Sequence, residues 1–351
     1  MTATQAPVTR TMPSVRTPKP FNGVYALAFV GVLIVGYALW TWGAWLSDGP
    51  HPVTKYRDPS SPSLWVARGY EVVMVIATVA ILVHVVRGCI RKRAFTTDAS
   101  ILVAGFFTLF WDPMVNWMQP NFFYSSQWIN VNTWTGYAPG VVNPTASQMP
   151  QPIVFIGLIY PFGLLGFSMV LNKGMSAARS RWPELSNAGL IALTFVGGLS
   201  LGLLLEAPMF LMNLWGLPGA PRALALFDNN HRFAWAEYVT TTIVFTTMGC
   251  VRFFRNDKGQ TIAERGLQNL SAAARAVVAT LATVTLFAMA MWVLLLIQIP
   301  AGLHAAPYPQ GYPKHMINDL CDVQPGMHTE YGPCPGTPGF RMPVKQTFQS
   351  P

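Results

Sequence analysis

Charged side chains are scarce in this chain: Asp, Glu, Lys and Arg make up 11% of its 351 residues. Soluble domains carry roughly 25%, so the deficit points to lipid. Metal-binding patterns are missing too. There is no HExxH, no series of HxxxH boxes, and no CxxC pair among the four cysteines. Zinc and di-iron membrane chemistry and a tetrahedral metal site are therefore disfavoured, and no metal is expected. No GxxxxGK[ST] loop or Rossmann glycine run occurs, so nucleotide hydrolysis and hydride transfer lack their usual devices. The last long apolar stretch has no lysine between its ends, which excludes a retinal Schiff base there.

Apolar residues, by contrast, reach 52%. They gather into seven runs near the roughly 20 residues needed to span a hydrocarbon core: 24–46, 69–88, 100–119, 152–172, 188–216, 233–254 and 275–299. The expected fold is all-α: a polytopic helical membrane protein of about seven transmembrane helices. The first run has no small-residue cleavage site behind it and reads as a retained helix. Residues 1–23 are expected to be a disordered tail, 24–299 the transmembrane domain, and 300–351 a Pro/Gly-rich outer cap or loose tail.

The net charge of +9 is an orientation signal. Of the 23 Lys and Arg residues, 15 fall in the N-terminal tail and the second, fourth and sixth loops, and only five in the intervening loops. The positive-inside rule then puts the N-terminus in the cytoplasm and the C-terminus outside a multi-pass plasma-membrane protein. A nucleic-acid partner is not expected; the bilayer and a lipophilic small molecule are. Cys89 and Cys250 lie at cytoplasmic helix ends and should stay reduced. Cys321 and Cys334 lie in the outer tail and are expected to pair in a disulfide, the alternative being two free thiols.

Acidic residues at membrane depth mark functional sites by default. Glu71, Asp112, Glu206 and Glu237 all fall toward the outer side. Asp112 lies in WDPMVNW, where Pro113 loosens the turn and Asn116 follows four residues on. Glu206 lies in LEAPMFLMN, again an acid near a proline with an amide, Asn213, further along. Two carboxyl groups close together at this depth cannot both ionise, which gives the acid and base of general acid–base catalysis; a purely structural proton-sharing pair is the alternative. Asp228, Asn230 and His231 form a polar cluster with Trp235 and Glu237. His231 there suits a proton shuttle, whereas Asp228 and Glu237 also suit helix capping. Glu71 and His84 also read as structural. The uncharged third loop, WMQPNFFYSSQWINVNTWTGY, reads as a lid in which Tyr124 and other rings and amides meet an oxygenated apolar substrate, or as an interfacial aromatic belt.

Together, WDPMVNW, LEAPMFLMNLWG and FDNNHRFAWAEY resemble the actinobacterial spirocyclase family typified by AveC, over about residues 24–300. The resemblance implies an enzyme of polyketide pathways that closes a dihydroxy ketone into a spiroketal, with dehydration in some members. It implies no particular catalytic set. The residues here suggest Asp112, Glu206, Asp228 and His231 as catalytic groups. Trp111, Asn116, Trp117, Tyr124, Asn213, Trp215, Asn230, Trp235 and Glu237 would contact substrate, with Trp111, Trp117 and Trp215 offering cation–π faces. Such chemistry requires no cofactor. The competing readings are a proton-coupled transporter or lipid-binding protein, a membrane terpene cyclase, and an accessory subunit.

Overall fold

The computed structural model describes residues 23–323, 329 and 331–341. The expected N-terminal disorder thus lies outside the described residues, except for Gly23, which already begins the first helix. The long helices are α1 (Gly23–Asp48), α2 (Pro62–Lys92) and α3 (Thr97–Leu109), the last followed by a 3-10 turn over Asp112–Asn116. Strands β1 (Phe123–Tyr124), β2 (Asn130–Asn132) and β3 (Pro150–Pro152) follow. Helix α4 (Phe155–Leu158) passes through a π turn at Ile159–Gly163 into α5 (Leu164–Arg181). Then come α6 (Asn187–Leu211), β4 (Trp215–Gly216), α7 (Trp235–Phe253), α8 (Ala272–Leu303) and the short α9 (Lys314–Ile317).

Local sequence explains where the helices begin. Thr96, Ser186 and Ser271 each accept the backbone N–H three residues on, at Ala99, Gly189 and Ala274, and so cap α3, α6 and α8. Pro62 opens α2, where its missing N–H costs nothing. Among the described residues, six helical segments are long and apolar enough to cross a membrane: α1, α2, Thr97–Asn116, Phe155–Arg181, α6 and α8. The seventh expected span, α7, falls short because it carries Thr240, Thr241, Thr242, Thr246 and Thr247 as well as Glu237 and Arg252. It packs against α5, α6 and α8, and the Thr240 and Thr242 hydroxyls turn back to the helix backbone, donating to the Ala236 and Tyr238 carbonyls. Packing among these neighbours shields the polar side chains of α7. Gly31 is needed where α1 meets α8, since any side chain there would strike the Leu281 carbonyl.

The two ends of the bundle differ. At one end lie Arg91, Lys92, Arg93, Arg179 and Arg181. There Arg252 on α7 bonds Asp98 at the start of α3 (2.9 Å) and Asn172 on α5 (2.9 Å). At the other end the third loop and the C-terminal segment build an ordered cap. β1 pairs antiparallel with β4, setting Tyr124 opposite Trp215, and β2 pairs antiparallel with β3. The amides that a substrate lid would expose are spent inside the cap. Asn130 and Asn132 accept the Val53 and His51 N–H groups (2.9 Å each) and hold the α1–α2 loop as a further strand would. Trp128 and Trp134 are buried and donate to the carbonyls of Leu214 and Phe110, so they form no interfacial belt.

The described part of the C-terminal segment is no loose tail. Tyr308, Tyr312, Met316 and Leu320 pack on Phe123 and Met149, and Cys321 and Cys334 are joined in a disulfide. α9 is seated by His315, whose Nδ1 meets the Ser125 hydroxyl (2.9 Å) and whose carbonyl accepts the Ser126 N–H (2.8 Å). Burial pushes the His315 imidazole below its ordinary value, opposed by the charge of Asp58. A His with a depressed folded pKa contributes stability above its unfolded value of about 6.5 and loses it as pH falls through the folded value. Hydrogen exchange of residues 304–323 should therefore accelerate as pH is lowered from neutrality through 6, after correction for intrinsic rates, and His315→Gln should remove that added acceleration. An identical pH response in both proteins would exclude His315 as the seat of it.

Candidate active site

Between the cap and the helices lies an apolar cavity of about 100 Å³ that three carboxyl side chains line: Asp112, Glu206 and Glu237. Each arrives by a different local route. Pro113 cannot continue the α3 hydrogen-bond ladder, so the chain tightens into the 3-10 turn that carries Asp112. Glu206 sits two residues before Pro208 inside α6. Glu237 occupies the first turn of α7, where a negative charge suits the helix dipole.

Asp112 is ringed by donors. Tyr160 donates to its Oδ1 (2.8 Å), Gln151 to its Oδ2 (2.9 Å), and Tyr124 to both oxygens (3.0 and 3.2 Å). Tyr160 reaches it from the π turn, and Gly105 on α3 is the reason that turn can come so close: a Cβ there would collide with the Tyr160 carbonyl and Pro161. Glu237 accepts from Thr241 (2.6 Å) through Oε1, while its Oε2 is buried with no hydrogen bond. Glu206 lines the same cavity as Glu237 and Asp112. The Tyr238 hydroxyl lies near Glu206 without closing a hydrogen bond of good geometry. Among the described residues, no Lys, Arg or His lines the cavity. Two donors on its wall, the Trp215 indole N–H and the Gln298 amide, have no partner. Buried polar groups are usually paired, so these await oxygen atoms from a bound molecule or water.

The structure thus gathers Asp112, Glu206, Glu237, Tyr124 and Trp215 and leaves the other expected residues outside the cavity. Asn116 does not share a substrate-facing surface with Asp112. Its Oδ1 accepts the Asn121 and Phe122 N–H groups and its amide donates to the Phe122 carbonyl, closing the loop. Trp111 packs on Phe110 and Trp292, and Trp117 lies over Gly140. Asn213 takes the left-handed conformation (φ 50°) that ends α6, a role amides tolerate better than most residues. Trp235 is exposed at the start of α7.

Asp228, Asn230 and His231 line a separate groove on the cap surface. Asp228 pairs with Arg232 and Arg222, which hold it below the usual carboxylate range. His231 Nε2 meets the Leu211 carbonyl (2.9 Å) at the end of α6. Neither reaches the three acids. Glu71 also stands apart, paired with Arg68 and accepting the Ile129 N–H (2.7 Å). The string Gly198-Leu199-Ser200-Leu201-Gly202 has GxSxG spacing, but it lies within α6 and Ser200 bonds the Val196 carbonyl (3.0 Å), so it forms no nucleophile elbow.

Sequence reasoning missed Tyr160, Gln151, Thr241 and Gln298. Only Tyr160 carried a signal, a tyrosine beside a proline within an apolar run. Among the described residues no cluster of His, Cys, Asp and Glu could hold a metal ion. The family model described as spirocyclase AveC-like matches residues 92–317, which begins later than the resemblance suggests and extends into the cap. No curated protein and no solved structure matches the chain.

Proposed function

Since the chain belongs to the AveC-like spirocyclase family, we propose that it closes a lipophilic dihydroxy ketone of polyketide type into a spiroketal within the three-carboxyl cavity. The observation that carries this reading is the convergence of Asp112, Glu206 and Glu237 on one apolar space with no basic side chain. Like charges so placed cannot all ionise, so the Glu206–Glu237 pair holds a proton available to substrate. Asp112, to which every polar neighbour donates, serves as the carboxylate.

One substrate hydroxyl adds to the ketone and gives a hemiketal. The Glu206–Glu237 pair protonates the hemiketal hydroxyl, the C–O bond breaks, and water leaves. The oxocarbenium ion is stabilised by Asp112 and by the ring faces of Trp215, Tyr124 and Trp128. The second hydroxyl attacks, and its proton returns to the pair. Trp215 and Gln298 supply hydrogen bonds to substrate oxygens. The net change is loss of one water.

Taking α7 as the seventh crossing, the basic end faces the cytoplasm and the cap lies outside. Buried apolar side chains, Leu165, Leu171, Phe245 and Met248, fill the bundle between the cavity and the Arg252 cluster, which favours chemistry in place over a proton-coupled transport path. Comparative profiling of lipid extracts with and without the gene tests the reading. Loss of the gene should accumulate a precursor and remove a product lighter by one water. An unchanged set of structures, with one compound merely shifted across the membrane, would establish the transporter instead.

A further inference from the structure

A cavity of about 100 Å³ is small beside the roughly 300–1,000 Å³ of sites that enclose a drug-sized ligand. It can take the reacting carbons of a lipophilic ketone but not its hydrocarbon arms. A second space of about 510 Å³ lies on the flank of the bundle between α2, α5 and α6. Phe155, Ile159 and Leu205 line both spaces, so single side chains separate them. The flank groove carries no charged side chain. It opens to the side, among residues such as Val73 and Val170 that are more than half exposed, on a helix, α2, of whose apolar window only 11% is buried.

Three local features shape this groove. Gly69 on α2, Gly163 at the end of the π turn and Gly166 on α5 line it and add no side chain to it. The π turn at Ile159–Gly163 forms the dividing wall, and such turns mark functional sites more often than chance. Tyr70 bridges the groove to the site: its hydroxyl donates to the Leu205 carbonyl (2.8 Å), one residue before Glu206, and its ring packs on Phe155. The cap closes the other side with its own hydrogen bonds, so the apolar route is the flank.

The geometry points to a lateral portal: the groove between α2, α5 and α6 receives the hydrocarbon arm of the substrate directly from the bilayer while its oxygenated carbons pass Phe155, Ile159 and Leu205 into the carboxyl cavity. This inference rests on the spirocyclase reading for the identity of the ligand, but its test does not require turnover. The probe is a long-chain dihydroxy ketone bearing a diazirine at the end of its chain, photolysed with the full-length protein in phospholipid vesicles. Label should fall on α2 and on the π turn, and unlabelled dihydroxy ketone should compete it away.

A Cβ at Gly69 meets nothing within 4 Å, so Gly69→Phe starts its side chain from open space and adds a ring on the groove wall. It should lower the competed labelling several-fold. Ala77→Phe, from the same wall, should do the same if the first variant fails to fold. Val32→Phe, at a lipid-exposed site on α1, should leave labelling unchanged, and Asp112→Asn should keep the label whatever happens to turnover. Label confined to the cap loops, or label in the groove that competitor does not displace, would overturn the portal; the latter would mean that ordinary lipid chains occupy it. Absence of turnover in the native protein with competed groove labelling intact would defeat the spirocyclase reading and leave the portal standing.

Discussion

Replacing Asp112 by Asn should abolish measurable cyclisation while the protein still folds. The two side chains are nearly isosteric, and Asn can still accept from Tyr160. Tyr124 keeps its bond to the same oxygen, but the nitrogen that replaces Oδ2 cannot accept from Gln151, and Asn carries no charge opposite the developing cation. Positioned acid–base groups contribute about 10²–10⁴-fold, and electrostatic stabilisation in a water-excluded site is of similar or larger size. A loss of about 10³-fold or more in kcat is therefore expected, with Glu206→Gln falling in the same range. Residues that act as one unit do not add, so Asp112→Asn with Glu206→Gln should cost little more than the worse single variant. Single-turnover assays in detergent, read beside a melting curve, check both points. Wild-type rates in both single variants would remove the carboxyl mechanism, and full additivity would mean the two acids act separately.

The largest effect on stability is expected at Glu71, away from the cavity. Its side chain is almost wholly buried, pairs with Arg68, and accepts the Ile129 N–H. Arg68 and Arg57 in turn hold the carbonyls of Gln127 and Trp128 (2.8 and 2.7 Å). These groups clamp the segment that carries Trp128 over the cavity. Removing one partner of a buried pair strands the other, which typically costs about 3–5 kcal/mol. Glu71→Ala should therefore lower the denaturation midpoint markedly and loosen the cap, whereas Glu71→Gln, whose one amide oxygen keeps an acceptor for either Arg68 or the Ile129 N–H, should lose less. Equal midpoints for Glu71→Ala and the native protein would show that the clamp contributes nothing.

These two acids illustrate what a sequence conceals. Glu71 and Glu206 look alike on the chain, each a lone acid in an apolar run. One finds an arginine three residues earlier and a loop amide; the other finds further carboxyl groups and no cation. Asp228 and His231 looked more like chemistry than Glu237 did, yet arginines neutralise the first and a helix-end carbonyl engages the second. Asn116 and Asn213 each followed an acid and a proline along the chain, but one closes a loop and the other ends a helix. A short polar side chain can serve backbone or ligand equally well, and only its neighbours decide.

Sequence by itself determined the membrane helices, because runs of apolar residues near 20 long have one stable use in a bilayer and need no tertiary partner to declare it. It also determined that Asp112 and Glu206 were costly enough to matter, since burial of an acid is penalised wherever the helix ends up. Tertiary structure decided the rest. Strand pairing of residues 123–124 with 215–216 set Tyr124 beside Trp215. Gly105 let Tyr160 reach Asp112, and packing of polar α7 among α5, α6 and α8 delivered Glu237 to the same cavity. Those contacts join residues far apart in the chain, and their energy depends on shape and distance that no local pattern encodes.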